Sequence, residues 1–428
     1  MFNRSETLKK LMTLFILMCV GIYAYAGNST SMTFSQVLTL AVKNSPDIIV
    51  QQEKLSQARW AQVKTFGGML PNVSVLERRQ YGYGNELFSD KGWNAYLDIK
   101  QPVFYGLSKV NTFLITNNEA RKEELNLLTI KRGLAVSVTE AYFSLALAQS
   151  NLKNIEDALA LVGVRREELI GYVNLGKSRK SDLYAIESKS AILTAQRETA
   201  VNILENAKAK MEYVSGGSDI TAVWDDKTVT ATKPDIKAIT TDRSDLKAIN
   251  EELEAQDKRT AIGIATFLPD ANLEFTKNIM GTPYLGSSSN SDYGWTIMLN
   301  AEWGLFEGGG RIADTASEMS KKVALEQQVL LINKTVKLEL KINYNNLKAS
   351  IARVHALSDA LDKAKKSLKV QENDYRLGLV TNLDVIQAML DMTDVKTQYD
   401  AEKILAQKNK IMLEISSEQL DFESGGSK

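Results

Sequence analysis

The chain has 428 residues and equal numbers of basic and acidic residues, 52 of each, so its formal net charge is zero. This balance excludes the basic excess that is typical of nucleic-acid-binding domains. A single cysteine and a single histidine exclude a disulfide framework and a zinc site built from several such side chains. Proline is sparse, with 6 residues, which favours long uninterrupted helices.

The first 26 residues have the features of a secretory signal peptide. Three basic residues precede the apolar stretch from Leu11 to Val20, and Ala24-Tyr25-Ala26 is a signal cleavage pattern. A lipoprotein signal through Cys19 is less favoured, because Met18 precedes it where a small residue is expected. Cleavage would remove three basic residues and one acidic residue, leaving a mature chain with a net charge of −2 and no cysteine. We therefore predict an exported protein.

Two stretches, residues 92–106 and 294–308, share Gly-Trp at the start and Phe-x-Gly at the end. Both alternate between apolar and polar side chains, as a strand with two different faces does. The apolar positions are Trp93, Ala95, Leu97 and Ile99, and then Trp295, Ile297, Leu299, Ala301 and Trp303. Alternation over roughly ten residues is typical of a membrane-spanning strand, and it predicts Trp93, Trp295 and Trp303 as membrane-interface aromatics. A half-buried strand of a soluble sheet is the alternative.

Helical patterns surround the first of these strands. We predict a helix before it, a β-hairpin over residues 71–103, a long helix over 107–173 and a return helix over 181–214. The apolar residues of the long helix keep mostly 3-4 spacing, which predicts a rod packed along partner helices rather than on a compact core. At ~1.5 Å per residue this rod would be about 100 Å long.

The same pattern then occurs a second time. Pro46-Asp47-Ile48 corresponds to Ser244-Asp245-Leu246 at an offset of 198 residues, and the offset is 202 residues from the strands to the far turn. The chain is therefore predicted to be a tandem duplication. Its divisions would be the signal peptide 1–26, a first repeat 27–214, an equatorial linker 215–243 with one short strand, a second repeat 244–416 and a disordered tail 417–428. Within the second repeat we predict a hairpin over 269–305, a long helix over 310–376 and a return helix over 382–415.

The predicted strands also constrain the number of chains. Four membrane strands cannot close a barrel, and an open sheet edge in lipid would leave backbone groups without hydrogen-bond partners. Closure needs about eight strands or more, so two chains would give a filled barrel and three chains a lumen. The long helices likewise need neighbours on both sides. We therefore predict an oligomer with closed symmetry.

At these residues the chain resembles the TolC family of outer membrane efflux proteins. The resemblance covers essentially the whole mature chain, in both repeats. Its motifs are Ala41-Val42-Lys43-Asn44-Ser45-Pro46, Phe267-Leu268-Pro269, Trp303-Gly304-Leu305-Phe306-Glu307-Gly308-Gly309-Gly310-Arg311 and Tyr375-Arg376-Leu377-Gly378-Leu379-Val380-Thr381-Asn382-Leu383-Asp384-Val385. It implies a mostly α fold with transmembrane β: a homotrimeric duct with four strands per chain in a twelve-stranded β-barrel, continued by a long periplasmic α-helical barrel.

The resemblance also implies a function. The protein would be a passive exit duct in the outer membrane of a Gram-negative bacterium, extending into the periplasm and serving a tripartite efflux or type I secretion system. Its partners would be a periplasmic adaptor (membrane fusion) protein, an inner membrane pump of the RND, ABC or MFS type, and outer membrane lipid. The alternative is a periplasmic coiled-coil scaffold or adhesin without channel activity.

Two turns would form the periplasmic tip, and the resemblance assigns adaptor docking to them. They are Leu175-Gly176-Lys177 and Leu377-Gly378-Leu379. Glycine allows a sharp reversal of the chain, and the flanking apolar side chains offer the adaptor a surface to bury.

Three further residues are candidates for a periplasmic gate and selectivity site: Asp182, Asp384 and Tyr375. Repeated around a threefold ring, the two acids would form a negative constriction that favours cations. Val380 stands where the family has an arginine, so Arg179 or Lys177 is expected to replace it. Both acids also fit a capping role at helix N-termini, and the tyrosine fits a packing role.

No catalytic site is predicted. His355 is the only histidine, so neither a Ser-His-Asp triad with a nucleophile elbow nor a metal centre can be assembled around it from recognisable motifs. The glycines at 308–310 are not followed by the Lys-Ser/Thr of a phosphate-binding loop. We therefore expect neither enzymatic activity nor a cofactor.

Overall fold

The computed structural model describes residues 30–82, 89–223, 229–235, 239, 242–281 and 294–420. The predicted signal peptide, most of both hairpin loops, parts of the predicted linker and residues 421–428 lie outside these ranges.

The described elements occur in the same order in both halves of the chain. In chain order they are β1 (Thr30–Met32), α1 (Phe34–Asn44), α2 (Pro46–Gly67), β2 (Asn72–Gly82), β3 (Ser89–Tyr105), α3 (Ser108–Asn174), α4 (Lys180–Ser215), β4 (Ile220–Ala222), α5 (Ser244–Ala265), β5 (Asp270–Gly281), β6 (Trp295–Glu302), α6 (Gly310–Arg376) and α7 (Asn382–Ser416). The series α2, β2, β3, α3, α4 thus recurs as α5, β5, β6, α6, α7.

The helices α3 and α6 contain 67 residues each. At ~1.5 Å per residue each would be about 100 Å long. Both begin after a residue in the left-handed region, Leu107 with φ 66° and Gly309 with φ 86°, and this conformation turns the chain from strand to helix. Among the described residues, no helix has both the length and the apolar character needed to cross a membrane.

The helices lie side by side in one layer. In the half nearer the larger sheet their order is α2, α3, α5, α6, and in the far half it is α4, α3, α7, α6. The helix α3 therefore packs against neighbours on both sides, whereas α2 and α4 form one edge of the layer and α6 forms the other. The two edges face away from each other within the chain.

The larger sheet has the strand order β2-β3-β5-β6, with antiparallel pairing throughout. Its central pairing joins the two repeats and places Asp98 opposite Thr276. The register shifts at Pro102, which has no N–H group to contribute to the ladder. Strands β2 and β6 are the edges of this sheet. A second, smaller sheet pairs β1 in parallel with β4.

The main apolar core lies near the middle of α3, where α1 and the smaller sheet pack against it. Tyr142 and Phe143 of α3 are almost fully buried there, with their ring centroids 5.4 Å apart. The Tyr142 hydroxyl lies 2.6 Å from the carbonyl oxygen of Val223 and 3.1 Å from that of Met32, so it links both strands of the smaller sheet. Burial raises the pKa of Tyr142 to about 12, which keeps this hydroxyl protonated as a donor.

A buried ionic network lies beside this core. Arg132 of α3 contacts Asp245 of α5 at 2.8 Å and Glu418 at 2.7 Å. Arg243 contacts Glu339 of α6 at 2.7 Å and Asp245 at 3.1 Å. Burial alone would disfavour the charge on Asp245, but the two arginines outweigh it and hold the pKa of this carboxyl below its ordinary value. The network therefore connects the two repeats through paired arginine and carboxylate side chains.

The predicted tail of residues 417–428 differs from the structure at its start. The Glu418 carboxylate accepts hydrogen bonds from the backbone N–H of Ser244 at 3.0 Å and from its hydroxyl at 2.5 Å, so it caps the first turn of α5. Leu420 is 2% exposed and belongs to the main core. The polar composition suggested disorder, but two side chains suffice to anchor residues 417–420. The remainder, 421–428, lies outside the described residues.

Candidate functional site

The turns that join α3 to α4 and α6 to α7 share one backbone arrangement. Gly176 and Gly378 have positive φ values of 69° and 75°. The N–H of Lys177 donates to the carbonyl oxygen of Tyr172 at 2.8 Å, and the N–H of Leu379 donates to the carbonyl five residues before it at 2.9 Å. This is the usual way in which a helix ends at glycine, because a side chain would disfavour the left-handed conformation.

The side chains of these turns project away from the protein. Leu175 is 69% exposed, Leu377 is 73% exposed and Leu379 is 71% exposed. Three exposed leucines at one end of the molecule form an apolar surface, and Lys177 adds a positive charge beside it. The predicted docking residues therefore lie in exposed turns at the far ends of α3 and α6 and are accessible.

Asp384 closes a capping box at the start of α7. Its carboxylate accepts hydrogen bonds from the hydroxyl of Thr381 at 2.6 Å and from the backbone N–H of Thr381 at 2.8 Å. These bonds stabilise the ionised form and lower the pKa of this carboxyl. The side chain remains exposed, so its negative charge is available at the tip.

Asp182 occupies the corresponding place at the start of α4 with different partners. Its carboxylate accepts a hydrogen bond from the hydroxyl of Ser178 at 3.0 Å and from the backbone N–H of Arg179 at 3.3 Å. Both predicted gate acids thus perform the capping role that was their alternative interpretation. Capping and a negative constriction are compatible, because a capping carboxylate keeps its charge.

Tyr375, the third predicted gate residue, packs between the two repeats. The guanidinium carbon of Arg165 lies 4.4 Å from the centroid of its ring, within the range of a cation–π contact. The ring of Tyr172 meets it edge-on at 6.2 Å between centroids. Arg165 also donates two hydrogen bonds to Asn382 Oδ1, at 2.7 and 2.9 Å. This arginine therefore ties the end of α3 to both α6 and α7.

The cation that contacts Tyr375 is therefore Arg165, whereas Arg179 or Lys177 was expected from the sequence. Arg179 and Lys177 lie in the turn after α3, whereas Arg165 lies ten residues before it and belongs to the helix. Among the described hydrogen bonds and ring contacts, none joins Tyr375 to Asp182. The three predicted gate residues lie near the tip turns, but they do not form one connected cluster within a single chain.

At the opposite end, the larger sheet has one strongly apolar face. Val73, Val75, Ile297 and Leu299 each expose more than half of their side-chain surface, from 54% to 67%. The strand register pairs Val75 with Leu97 and places Val73, Ile297 and Leu299 on the same face as Val75. A sheet of a soluble protein would cover such a face, so this one is suited to contact with lipid.

The other face of the sheet is mostly polar, and several of its side chains are paired with one another. Asp98 is 3% exposed and lies 3.4 Å from the amino group of Lys100, which is 3.3 Å from Glu274. Thr276 donates to Asp98 at 3.4 Å, and Asn300 donates to Glu274 at 3.0 Å. The two faces therefore differ as those of a strand between lipid and water would.

The three predicted interface tryptophans lie at or beside the strands. Trp295 begins β6 and is 65% exposed, with its ring stacked on Phe275 at 6.3 Å between centroids. Trp303 follows β6 and its indole N–H donates to the carbonyl oxygen of Phe267 at 3.0 Å. Trp93 lies within β3 and is partly buried. An amphipathic ring with one satisfied polar group suits a membrane interface.

Comparison with known proteins agrees with this geometry. Residues 236–409 match the family model described as Outer membrane efflux protein. The chain is 23% identical over 410 residues to the outer membrane protein TolC of Vibrio cholerae, which covers 93% of this chain and 92% of that protein. The predicted resemblance to the TolC family of outer membrane efflux proteins is thereby confirmed. Its outer membrane location, with an extension into the periplasm, is confirmed with it.

Solved structures of outer membrane channels share the fold of this efflux protein. A crystal structure of CusC superposes with a TM-score of 0.81 at 16% identity, covering 90% of this chain and 91% of CusC. The CmeC outer membrane channel of Campylobacter jejuni superposes with a TM-score of 0.79 at 15% identity, covering 92% of this chain and 86% of CmeC. The mostly helical, TolC-like fold expected from the resemblance is therefore present.

Two groups of residues in this efflux protein were not predicted from its sequence. Arg165 and Asn382 connect the repeats at the tip, yet they lie 217 positions apart and no sequence motif links them. The sequence indicates Lys100 only as part of the polar face of an alternating strand, and not its contact with Glu274 of β5 at 3.3 Å. In both cases the missing information is which distant residue each side chain meets.

Proposed function

We propose that this efflux protein is a passive exit duct formed by three identical chains. Each chain would contribute four strands to a twelve-stranded barrel in the outer membrane and its long helices to a periplasmic α-helical barrel. A periplasmic adaptor and an inner membrane pump would recruit the duct as the outer part of a tripartite efflux or type I secretion system. The duct would carry out no chemical reaction, and the pump would supply the energy.

The observation that carries this proposal is the sheet with two unpaired edges and two unlike faces. Strands β2 and β6 have no neighbour on their outer sides within the described sheet. In lipid, each unpaired backbone group costs several kcal/mol, so the edges must pair with those of other copies. Three copies of a four-stranded sheet give a barrel wide enough for a lumen lined by the polar face.

The tip would be the part of the duct that opens. The exposed leucines of the two turns offer an apolar surface for an adaptor to bury. The acids Asp182 and Asp384, each present three times in a trimer, would make the entrance negative and favour cations. Tyr375 and Arg165 would hold the helix ends together until the adaptor binds.

Planar-bilayer conductance of the detergent-extracted protein, combined with its mass by light scattering, tests this proposal. We expect a particle three times the mass of the mature chain that produces small, cation-selective current steps. The outer membrane fraction should release the protein only with detergent.

A soluble monomer or dimer without conductance would overturn the proposal. The protein would then be better described as a periplasmic coiled-coil scaffold or adhesin. A trimer that conducts without cation preference would keep the duct and remove the role of the tip acids.

A further inference from the structure

One face of α6 exposes large apolar side chains along the half of the helix nearer the larger sheet. They are Ile312, Val323, Leu330, Leu331, Leu338 and Ile342, which are between 47% and 67% exposed. The helix lies at the edge of the helical layer, and its neighbours in the chain are α5 and α7. A long apolar face at the edge of a helical layer is typical of a protein–protein interface.

The internal duplication indicates which surface this is. Helix α3 is the counterpart of α6 and packs on α2 through Thr116, whose hydroxyl is 2.9 Å from that of Thr65. Glu318, at the position of Thr116 plus 202, accepts a hydrogen bond from Gln256 of α5 at 2.6 Å. Helix α6 therefore meets α5 with the face that α3 turns toward α2. The opposite face of α3 packs on α5, whereas no helix in the described part of the chain covers the corresponding face of α6.

The contacts between α3 and α5 provide a template for the missing one. The hydroxyls of Thr129 and Ser244 are 3.3 Å apart, and Arg132 contacts Asp245 at 2.8 Å. At the end nearer the larger sheet, the backbone segments of one chain approach so closely that a Cβ atom on Gly106 would lie 2.6 Å from the carbonyl oxygen of Ala265. We call these three contacts the template joint.

Each contact of the template joint has a complementary counterpart on the two free edges. Adding 202 to the positions in and before α3 and subtracting 198 from those in α5 gives the corresponding positions of the other repeat. The resulting pairs are Leu331 with Pro46, Lys334 with Asp47 and Gly308 with Gly67. A polar pair becomes an apolar pair, a cation still meets an anion, and the close approach still involves glycine. Among the described residues of one chain, neither Lys334 nor Asp47 has an ion-pair partner, and both are exposed.

Other positions show how the copied joint differs from the template. Within the chain, Lys122 contacts Glu252 at 2.7 Å and Arg259 contacts Glu119 at 2.6 Å. The counterparts pair Ala324 with Lys54 and Lys321 with Ala61, so neither ion pair is retained and no like charges are opposed. The copied joint is therefore more apolar than its template, with Lys334 and Asp47 as the retained pair.

We propose that the free face of α6 packs on α2 of the next subunit through this copied joint, with Leu331 against Pro46 and Lys334 paired with Asp47. The proposal rests on the ring of identical chains proposed above and identifies the residues that join them. Each subunit offers one α6 face and one α2 face, so the contact is head-to-tail and a ring closes it.

Cysteine cross-linking in the full chain tests the copied joint. The one cysteine, Cys19, lies in the predicted signal peptide, so introduced thiols would be the only ones in the mature protein. The variant Leu331→Cys with Pro46→Cys should form disulfides between subunits and give dimers and trimers on non-reducing gels. Hydroxyls 3.3 Å apart in the template indicate that sulfur atoms at these positions can reach bonding distance.

Two matched variants control this experiment. Thr129→Cys with Ser244→Cys should form a disulfide within one chain and leave a monomer band on the gel. Leu338→Cys with Pro46→Cys places one thiol two helical turns away, at about 10 Å along the axis, and should cross-link at least tenfold less.

A charge exchange covers the possibility that Pro46→Cys alters the start of α2. Lys334→Asp and Asp47→Lys should each reduce the trimer fraction in light scattering, and the two changes together should restore it. A trimer that neither cross-links at Leu331 and Pro46 nor responds to the charge exchange would overturn the copied joint while leaving the duct in place. A parent protein that is not a trimer would instead overturn the duct.

Discussion

The middle and the far end of α3 are built differently, although they belong to one helix. Around Tyr142 the helix is surrounded by α1, the smaller sheet and a core of fully buried side chains. Near Arg165 a smaller apolar core, which includes Val162 and Leu169, joins α3 to α4 and α7. Arg165 adds the ring contact with Tyr375 and two hydrogen bonds to Asn382, and the last residues of the helix lead to an exposed turn. The middle therefore has the larger apolar core, whereas the far end has a smaller one and exposed turns beyond it.

This difference separates two functions along the same rod. A region with many buried contacts opens only at a cost close to that of global unfolding, while a region with few contacts opens locally. An adaptor that buries the exposed leucines at the tip could therefore shift the helix ends without disturbing the middle. Breaking contacts in each region should test this separation.

The largest effect is expected from Arg243→Ala. This change would leave the partly exposed carboxylates of Asp245 and Glu339 without the buried Arg243 guanidinium, at a cost of about 3 kcal/mol, the lower end of the range for a buried pair. The midpoint of thermal unfolding, followed by circular dichroism of the detergent-solubilised protein, should fall by several degrees. Lys247→Ala removes an exposed lysine of the adjoining helix α5 and should change the midpoint little. Equal shifts of the unfolding midpoint in both variants would show that the ionic network does not stabilise the protein more than a surface ion pair does.

Acid should weaken the middle of the molecule through Asp245. The arginines lower the pKa of this carboxyl in the folded protein below the ordinary 3.8. Its stabilising contribution is therefore complete above that value and is lost as the pH falls through the lowered pKa. Unfolding midpoints measured between pH 7 and pH 3 should decline below about pH 4. Asp245→Asn should be less stable at neutral pH and should show a smaller decline; an unchanged decline would contradict this assignment.

A moderate and local effect is expected from Arg165→Ala. The change removes the contact with Tyr375 and both hydrogen bonds to the buried amide of Asn382, which we expect to cost about 1–3 kcal/mol. Hydrogen exchange should become faster in residues 370–390 and remain unchanged around Tyr142.

The neighbouring Arg166 supplies the control, because its contacts with Glu167 and Glu187 lie at the surface. Arg166→Ala should leave hydrogen exchange at the tip unchanged. If exchange in Arg165→Ala accelerates equally along the whole of α3, the tip and the middle do not open independently.

The smallest effect on stability is expected from Asp182→Asn combined with Asp384→Asn. Asparagine also caps helices, so the midpoint of thermal unfolding should change little. Removing both charges from the tip should nevertheless weaken the cation preference and raise the leak current in planar bilayers. Reversal potentials in a salt gradient measure the preference. Unchanged selectivity and conductance would leave both acids with a capping role only.

Much of this fold could be predicted because local signals and duplication reinforce each other. Gly106 and Gly176 flank one long apolar pattern, and the structure has a helix at Ser108–Asn174 between them. The alternation in the strands indicates the apolar face of the sheet without any knowledge of the strand pairing. The same offsets that revealed the duplication relate the free face of α6 to its counterpart on α3.

The missed features all depend on contacts between distant residues. Arg165 meets Tyr375 across 210 positions, and nothing in either sequence neighbourhood marks the other. Glu418 lies in a stretch rich in serine and glycine, which suggested a tail, yet it caps α5. The identity of a partner in space cannot be inferred from periodicity, which reports only the face on which a residue lies.

The order of the sheet has a consequence for how the chain folds. Its central pairing joins β3 to β5, with contacts such as that between Asp98 and Thr276 across 178 positions. Everything between them, including the α3–α4 helical pair, must fold back before this pairing can form. Contacts so distant in sequence form slowly, because the entropy of closing the loop must be overcome first. We therefore expect the helices on either side of this pairing to form before the larger sheet does.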